Sequence, residues 1–162
     1  INARTKEEAA PQTFRAGAGA VILDSDGRVL ALERRDNRNS WQMPQGGLQP
    51  GEEPAEAAQR EITEETGIKC HMQPLAALDH PLLYELPARH RSAKTGRGQV
   101  QYWFVFRFPG RDEDITLGDK KEFRDWKWMP MHELVSTVVP FKRAVYQELA
   151  RWLDRLQIPL AK

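Results

Sequence analysis

Hydrophobic and polar positions change register several times along the chain, and each change predicts an element. "AGAVIL" and "RVLALERR" are apolar runs separated by "DSDG", which predicts two strands joined by a tight turn at Asp26-Gly27. "DSDG" also resembles the opening of a calcium loop, but the later ligand positions and the distal Glu are missing, so the hairpin is expected. "MPQGGLQPGEEP" reads as a structured loop feeding a helix over residues 54–66. Pro54 suits its first turn and Gly67 the left-handed residue that closes it. "HPLLYELP" has strand character, "ARHRSAKTGRG" is a basic turn-rich loop, and "RDWKWMP" is a short strand. In "QVQYWFVFRF" the alternation puts Val100, Tyr102, Phe104, Phe106 and Phe108 on one face and Gln99, Gln101, Trp103, Val105 and Arg107 on the other. Phe141, Val145, Leu149, Trp152 and Leu156 recur at helical spacing and predict a C-terminal amphipathic helix with Phe141 at its start.

Strands and helices mixed in this order indicate an α/β or α+β domain with a mixed sheet rather than a bundle. Residues 1–13 are polar and Ala-rich and read as a tail; residues 14–158 read as one domain, with no internal repeat or linker. The 162 residues, 40% hydrophobic and 29% charged, suit one globular domain. A net charge of +1 says nothing about partners, so only local charge can. No apolar run reaches the roughly 20 residues of a membrane helix, and no obligate protein partner is evident. Cys70 is the only cysteine, which excludes a disulfide framework and a thiolate metal site. It is expected as a small buried hydrophobe in a reducing compartment, the cytoplasm. The absence of a leading Met leaves a removed targeting peptide open.

Charge concentrates in "REITEETG". On the predicted helix, Glu61, Glu64 and Glu65 fall at i, i+3 and i+4, beside an inward face of Ala55, Ala58 and Ile62. Glu61 and Glu65 repel one another and lie toward the C-terminal end of the helix, where the macrodipole disfavours negative charge. Nothing adjacent is expected to offset this, and a hard divalent cation such as Mg²⁺, with oxygen ligands at about 2.1 Å, would. The plainer reading is a solvated acidic face.

The loop and helix together resemble the Nudix signature: Gly, five residues, Glu, seven residues, Arg-Glu, an aliphatic, any residue, Glu-Glu, any residue, Gly, an aliphatic. Here Gly46, Glu52, Arg60, Glu61, Ile62, Glu64, Glu65, Gly67 and Ile68 satisfy every spacing. The resemblance implies a Nudix α/β/α sandwich that hydrolyses pyrophosphate bonds with Mg²⁺, for which Mn²⁺ or another divalent cation can substitute. It implies Glu61, Glu64 and Glu65 as metal ligands, with Glu64 among the groups acting on the attacking water, and Arg60 as the group that orients a carboxylate.

"SWQMPQGG", "LLYELP", "GQVQYWF", "EFRDWKW" and "VVPFKRAVY" are similar to the branch holding bacterial RNA pyrophosphohydrolases and plant-type diadenosine tetraphosphate hydrolases. That similarity implies Glu122 as a further ligand or general base, and Arg35, Ser40, Val139, Phe141 and Lys142 as contacts to an RNA 5′ end. Tyr84 is a candidate base-stacking residue, and Gln99 and Gln101 are candidate substrate contacts beside the basic loop. Packing competes as the role of Phe141, a buried strand aromatic as that of Tyr84, and a solvated helix start as that of Lys142 and Arg143. "FRAGAG" keeps Arg15 and Gly19 but lacks the Pro and Asn common in the branch, and Tyr102 stands where relatives often carry lysine before Trp103. The expected substrate is an RNA 5′-polyphosphate; diadenosine tetraphosphate is the alternative, and a non-catalytic nucleotide- or RNA-end-binding module the second.

Overall fold

The computed structural model describes residues 12–118 and 121–159, so most of the predicted tail lies outside the described residues. Eight strands form one mixed sheet: β1 Phe14–Leu23, β2 Val29–Arg34, β3 Trp41–Gln42, β4 Gln45–Gly47, β5 Ala76–Ala77, β6 Leu82–Glu85, β7 Gly98–Arg107 and β8 Phe123–Met129. The central path runs β3-β2-β1-β7-β5, with β4 also on β1, β6 on β7 and β8 on β2. Among the described residues only β1 and β7 pair in parallel, in register from Phe14–Gly98 to Leu23–Arg107; the other pairings are antiparallel. Among the described residues the α-helices are α1 Pro54–Thr66, α2 Met131–Thr137 and α3 Arg143–Leu156.

Strand alternation divides the interior into two layers. Val21, Leu23, Val29, Ala31, Trp103 and Val105 face one way and meet Leu134, Val145, Leu149 and Trp152 of α2 and α3. Ala18, Ala20, Ile22, Leu30, Leu32 and Phe106 face the other way and meet Ala57, Ala58 and Ile62 of α1. The result is the expected α/β/α sandwich. Two local expectations change: Ala55 is exposed, its place against the sheet taken by Ala57, and Cys70 is exposed rather than buried.

Local chemistry explains the joints. Asp24 Oδ1 accepts hydrogen bonds from the backbone N–H of Asp26 and Arg28 at 2.9 and 2.8 Å, closing the first hairpin. Pro54 opens α1, and Gly67, at φ +79°, ends it by donating its N–H to the Thr63 carbonyl at 3.0 Å. Among the described residues, no helix is long and apolar enough to cross a membrane.

The C-terminal helix departs from expectation at its start. Phe141 lies in a 3₁₀ turn, Pro140–Lys142, and α3 begins at Arg143. Pro140 has no N–H to donate and fixes its own φ, which suits the first position of a tight turn. Tyr146, outside the predicted stripe, is 1% exposed, and the backbone N–H of Met43 donates to its hydroxyl at 2.8 Å. That bond ties α3 to the short segment between β3 and β4, which carries the glycine loop toward α1.

Within the layer that faces α3, the neighbouring strands β1 and β7 leave no room for a side chain at Gly19. A Cβ on Gly19 would lie 2.5 Å from the Trp103 ring, which is itself packed edge-on against Tyr146 at 6.1 Å between centroids. Gly19→Ala is therefore expected to destabilise the fold by about 1–3 kcal/mol through overpacking. A lower urea midpoint with an unchanged slope would show it, and an unchanged midpoint would refute it.

Candidate active site

Helix α1 holds its carboxylates through Arg60. The guanidinium has five N–H donors in a planar fork, and each meets an oxygen. Nε and Nη2 donate to Glu52 at 2.8 and 2.9 Å, and Nη2 also donates to the Gly47 carbonyl at 2.7 Å. Nη1 donates to Glu61 at 2.7 Å and to Glu64 at 3.2 Å. Bonding to Glu52 and Glu61 raises the Arg60 pKa, and the bond from Arg60 is the main cause that lowers that of Glu52. The repulsion expected among the glutamates is thus partly offset by the adjacent residue, a correction to the sequence reading.

Glu61 and Glu65 are 7% and 4% exposed, while the side chain of Glu64 is 27% exposed. Burial, above all, pushes Glu65 well above the ordinary carboxyl range, and the negative charges of Glu61 and Glu122 add to it. Burial raises Glu61 as well, against the lowering effect of Arg60. One glycine makes this possible: a Cβ on Gly46 would lie 2.2 Å from both Cδ and Oε1 of Glu61. The Gln45 N–H next to it donates to Glu65 at 3.1 Å, and the Gln45 side-chain oxygen accepts from Gln101.

Among the described residues, no three His, Cys, Asp or Glu side chains form a ready-made cation cage. The donor set nevertheless suits a hard divalent ion: two buried carboxyls with raised pKa values share a site that offers oxygen ligands only. Glu61, Glu64 and Glu65 could hold such an ion. Glu122 could join from the exposed segment before β8, since its charge is felt at both Glu65 and Arg34.

A cavity of about 530 Å³ includes Arg34 and Lys142, two residues on which the charge of Glu65 acts. Tyr84, Gln99, Val139, Phe141 and Lys142 line it; Arg35, Ser40 and Gln101 do not. Arg35 is turned to the segment before β8, its backbone N–H donating to the Glu122 carbonyl at 2.9 Å and its Nε to the Lys121 carbonyl at 3.0 Å. Ser40 is buried, and its backbone carbonyl accepts from the Arg34 N–H. Gln101, on the same strand face as Gln99, is 1% exposed and bonded to Gln45. Seven lining residues escaped the sequence reading, Arg34, Asp36, Gln42 and His90 among them. Arg34 is clamped by Asp36 at 2.8 and 3.0 Å and donates to Gln42 at 3.3 Å. Simple alternation would put Arg34 with Leu30 and Leu32 on the α1 face; the register irregularity between Glu33 and Arg34 breaks that alternation, so the sequence offered no signal for it.

Lys142 is not at a solvated helix start. It is 7% exposed, with its ammonium 5.5 Å from the Tyr84 ring centre and in no ion pair among the described residues. Burial, with a smaller contribution from Arg34, lowers its pKa to about 8, against the opposing pull of Glu65. The folded state therefore binds fewer protons than the unfolded state between about pH 8 and the unfolded lysine pKa of roughly 10.4, so this group's penalty shrinks as pH rises through that window. Lys142→Met is expected to be more stable than wild type at pH 7 by about 1–3 kcal/mol, with the gap narrowing by pH 9.5. Urea titrations at the two pH values check this; a gap that does not narrow contradicts it.

Comparison with known proteins bears on the family and the fold. The family profile described as NUDIX domain matches residues 13–153. An RNA pyrophosphohydrolase of Erythrobacter litoralis strain HTCC2594 is 41% identical over 146 residues, covering 85% of this chain and 89% of the relative. Another protein of that name, from Rhodospirillum rubrum, is 39% identical over 155 residues, covering 93% of each. Among solved structures, the E. coli dihydroneopterin triphosphate pyrophosphohydrolase superposes with a TM-score of 0.65 at 23% identity, covering 86% of this chain and 99% of that one. A C. elegans Ap4A hydrolase binary complex gives 0.62 at 21% identity, covering 87% and 98%. The structural likenesses speak for the fold; the profile and the sequence relatives, together with the intact signature from Gly46 to Ile68, show that this chain belongs to the NUDIX family.

Proposed function

We propose that the protein is a Nudix pyrophosphohydrolase that trims RNA 5′-polyphosphate ends to 5′-monophosphates, with Mg²⁺ as its ion (Mn²⁺ able to substitute) and the cytoplasm as its compartment. The observation that carries this reading is a juxtaposition. An Arg60-braced set of carboxylates is linked, through the charge of Glu65, to a cavity that carries an aromatic wall and two cations, Arg34 and Lys142. Oxygen ligands suit the ion, cations suit phosphates, and ring faces suit unpaired bases. The sequence relatives named RNA pyrophosphohydrolase support the choice of substrate.

In the reaction, water adds to a phosphorus, the P–O bond of the anhydride breaks, and the water gives up a proton. When bound by Glu61, Glu64, Glu65 and Glu122, a divalent ion would polarise the phosphoryl oxygens and make that water more acidic. The side chains have separable tasks. Glu64, the most exposed of the three helix carboxylates, would accept the proton. Arg60 holds Glu52, Glu61 and the β4 carbonyl of Gly47 in fixed relation, so the carboxylates do not have to reorganise as charge develops. Lys142 and Arg34 set positive charge in the cavity, where a polyphosphate carries several negative charges.

Glu64→Gln keeps the shape of the side chain and removes its basicity. Turnover of a 5′-triphosphate RNA oligomer with Mg²⁺ is expected to fall about 10²–10⁴-fold, while the dissociation constant for the oligomer changes little. Separation of labelled products and equilibrium binding measure the two quantities, with diadenosine tetraphosphate run in parallel. Full activity in the variant would remove Glu64 from the chemistry. A wild type that turns over the dinucleotide but not the RNA would overturn the substrate assignment.

A further inference from the structure

The basic loop does more than carry charge: it delivers a ring to the cavity. His90 closes the 3₁₀ turn Ala88–His90 and lines the cavity. Its ring centre is 6.2 Å from that of Phe141, inclined at 45°. Phe141 is in turn 5.7 Å from Tyr84, so three rings follow one another along the wall. They differ in access. Tyr84 is 6% exposed, with the Lys142 ammonium over its ring and Phe141 beside it. Phe141 is half-buried and His90 is exposed. A flat ligand entering the cavity reaches His90 and Phe141 before Tyr84.

The loop is braced in a way that fixes the backbone at His90. The His90 N–H donates to the Pro87 carbonyl at 2.8 Å, and its carbonyl accepts from Thr95 Oγ1 at 3.1 Å. Arg91 Nε donates to the Leu86 carbonyl at 2.8 Å, and Arg91 and Arg97 both pair with Glu85, at 3.3 and 3.1 Å. Two cations of the loop are thus committed to holding its shape. The imidazole itself makes no hydrogen bond among the described residues, which leaves both its edge and its face to a ligand.

We propose that His90 is a nucleobase-binding residue, its ring extending the Phe141 face into a stacking ledge at the mouth of the cavity. The inference rests on the function proposed above for the source of the base, an RNA end, but its own content is the base contact. Stacking on an aromatic side chain is tolerant of base identity, because every base has a π-face. His90 therefore governs affinity for base-bearing substrates more than choice among bases.

The test measures binding on the Glu64→Gln background in Mg²⁺. The probes are a 5′-diphosphate RNA tetramer, the same tetramer made abasic at its first or second nucleotide, and diadenosine tetraphosphate. Adding His90→Ala is expected to weaken the base-bearing tetramer about 5–10-fold, within the range for loss of one stacked base, and to leave one of the abasic tetramers unaffected. Replacement by Phe should restore affinity, and by Lys should not. An equal loss on all tetramers, no loss on any probe, or rescue by Lys rather than Phe would overturn the proposal. A loss confined to diadenosine tetraphosphate would keep the base contact and count against RNA as the substrate, so the two readings fail separately.

Discussion

The site depends on one close approach. At Gly46 the backbone of β4 comes so near to α1 that the Glu61 carboxylate occupies the space a side chain would need, 2.2 Å from where a Cβ would stand. Two further links hold the contact: Arg60 to the Gly47 carbonyl and the Gln45 N–H to Glu65. A helix that would otherwise carry mutually repelling acids is thereby pinned to a strand, its acids half-shielded and their charge only partly balanced by one guanidinium. The residual imbalance favours either a retained proton, as the raised Glu65 pKa indicates, or a cation.

The sandwich sets the acids on α1 to one side of the sheet and the 3₁₀ turn before α3 to the other. They communicate around the β3–β4 segment. Met43 of that segment bonds Tyr146 of α3, and Gln45 bonds both Glu65 and Gln101. Glu65 consequently acts electrostatically on Arg34, Lys142 and Tyr146, residues with no sequence proximity to the helix. On the proposed function, the acids would carry the phosphate chemistry and the aromatic wall the base contact.

Much of this was legible because it is local. The 23 residues from Gly46 to Ile68 carry loop, helix start, helix stop and carboxylate face, and α1 begins and ends where Pro54 and Gly67 imply. The parity of β7 correctly put Gln99, Gln101, Trp103 and Val105 on one face. What stayed hidden depends on contacts between distant segments. Helical spacing alone cannot reveal that Pro140 turns Phe141 and Lys142 off the axis of α3, and Lys142 reads as surface until Tyr84 is packed beside it. Arg34 and Arg35 are interchangeable in a line of text, and the end of β2 sends one to the cavity and the other to the segment before β8. His90 sits in a basic loop whose bracing by Glu85 and Thr95 has no sequence signature.

The central claim is that the Gly46–Glu61 contact builds a divalent-cation site, and anomalous diffraction from crystals grown with Mn²⁺ tests it most directly. The account predicts a Mn²⁺ peak within about 2.2 Å of carboxylate oxygens of Glu61 and Glu65, with Arg60 retaining its bonds to Glu52. A saturating Mn²⁺ soak with no peak at these carboxylates, in crystals of protein that still cleaves pyrophosphate bonds, would contradict it.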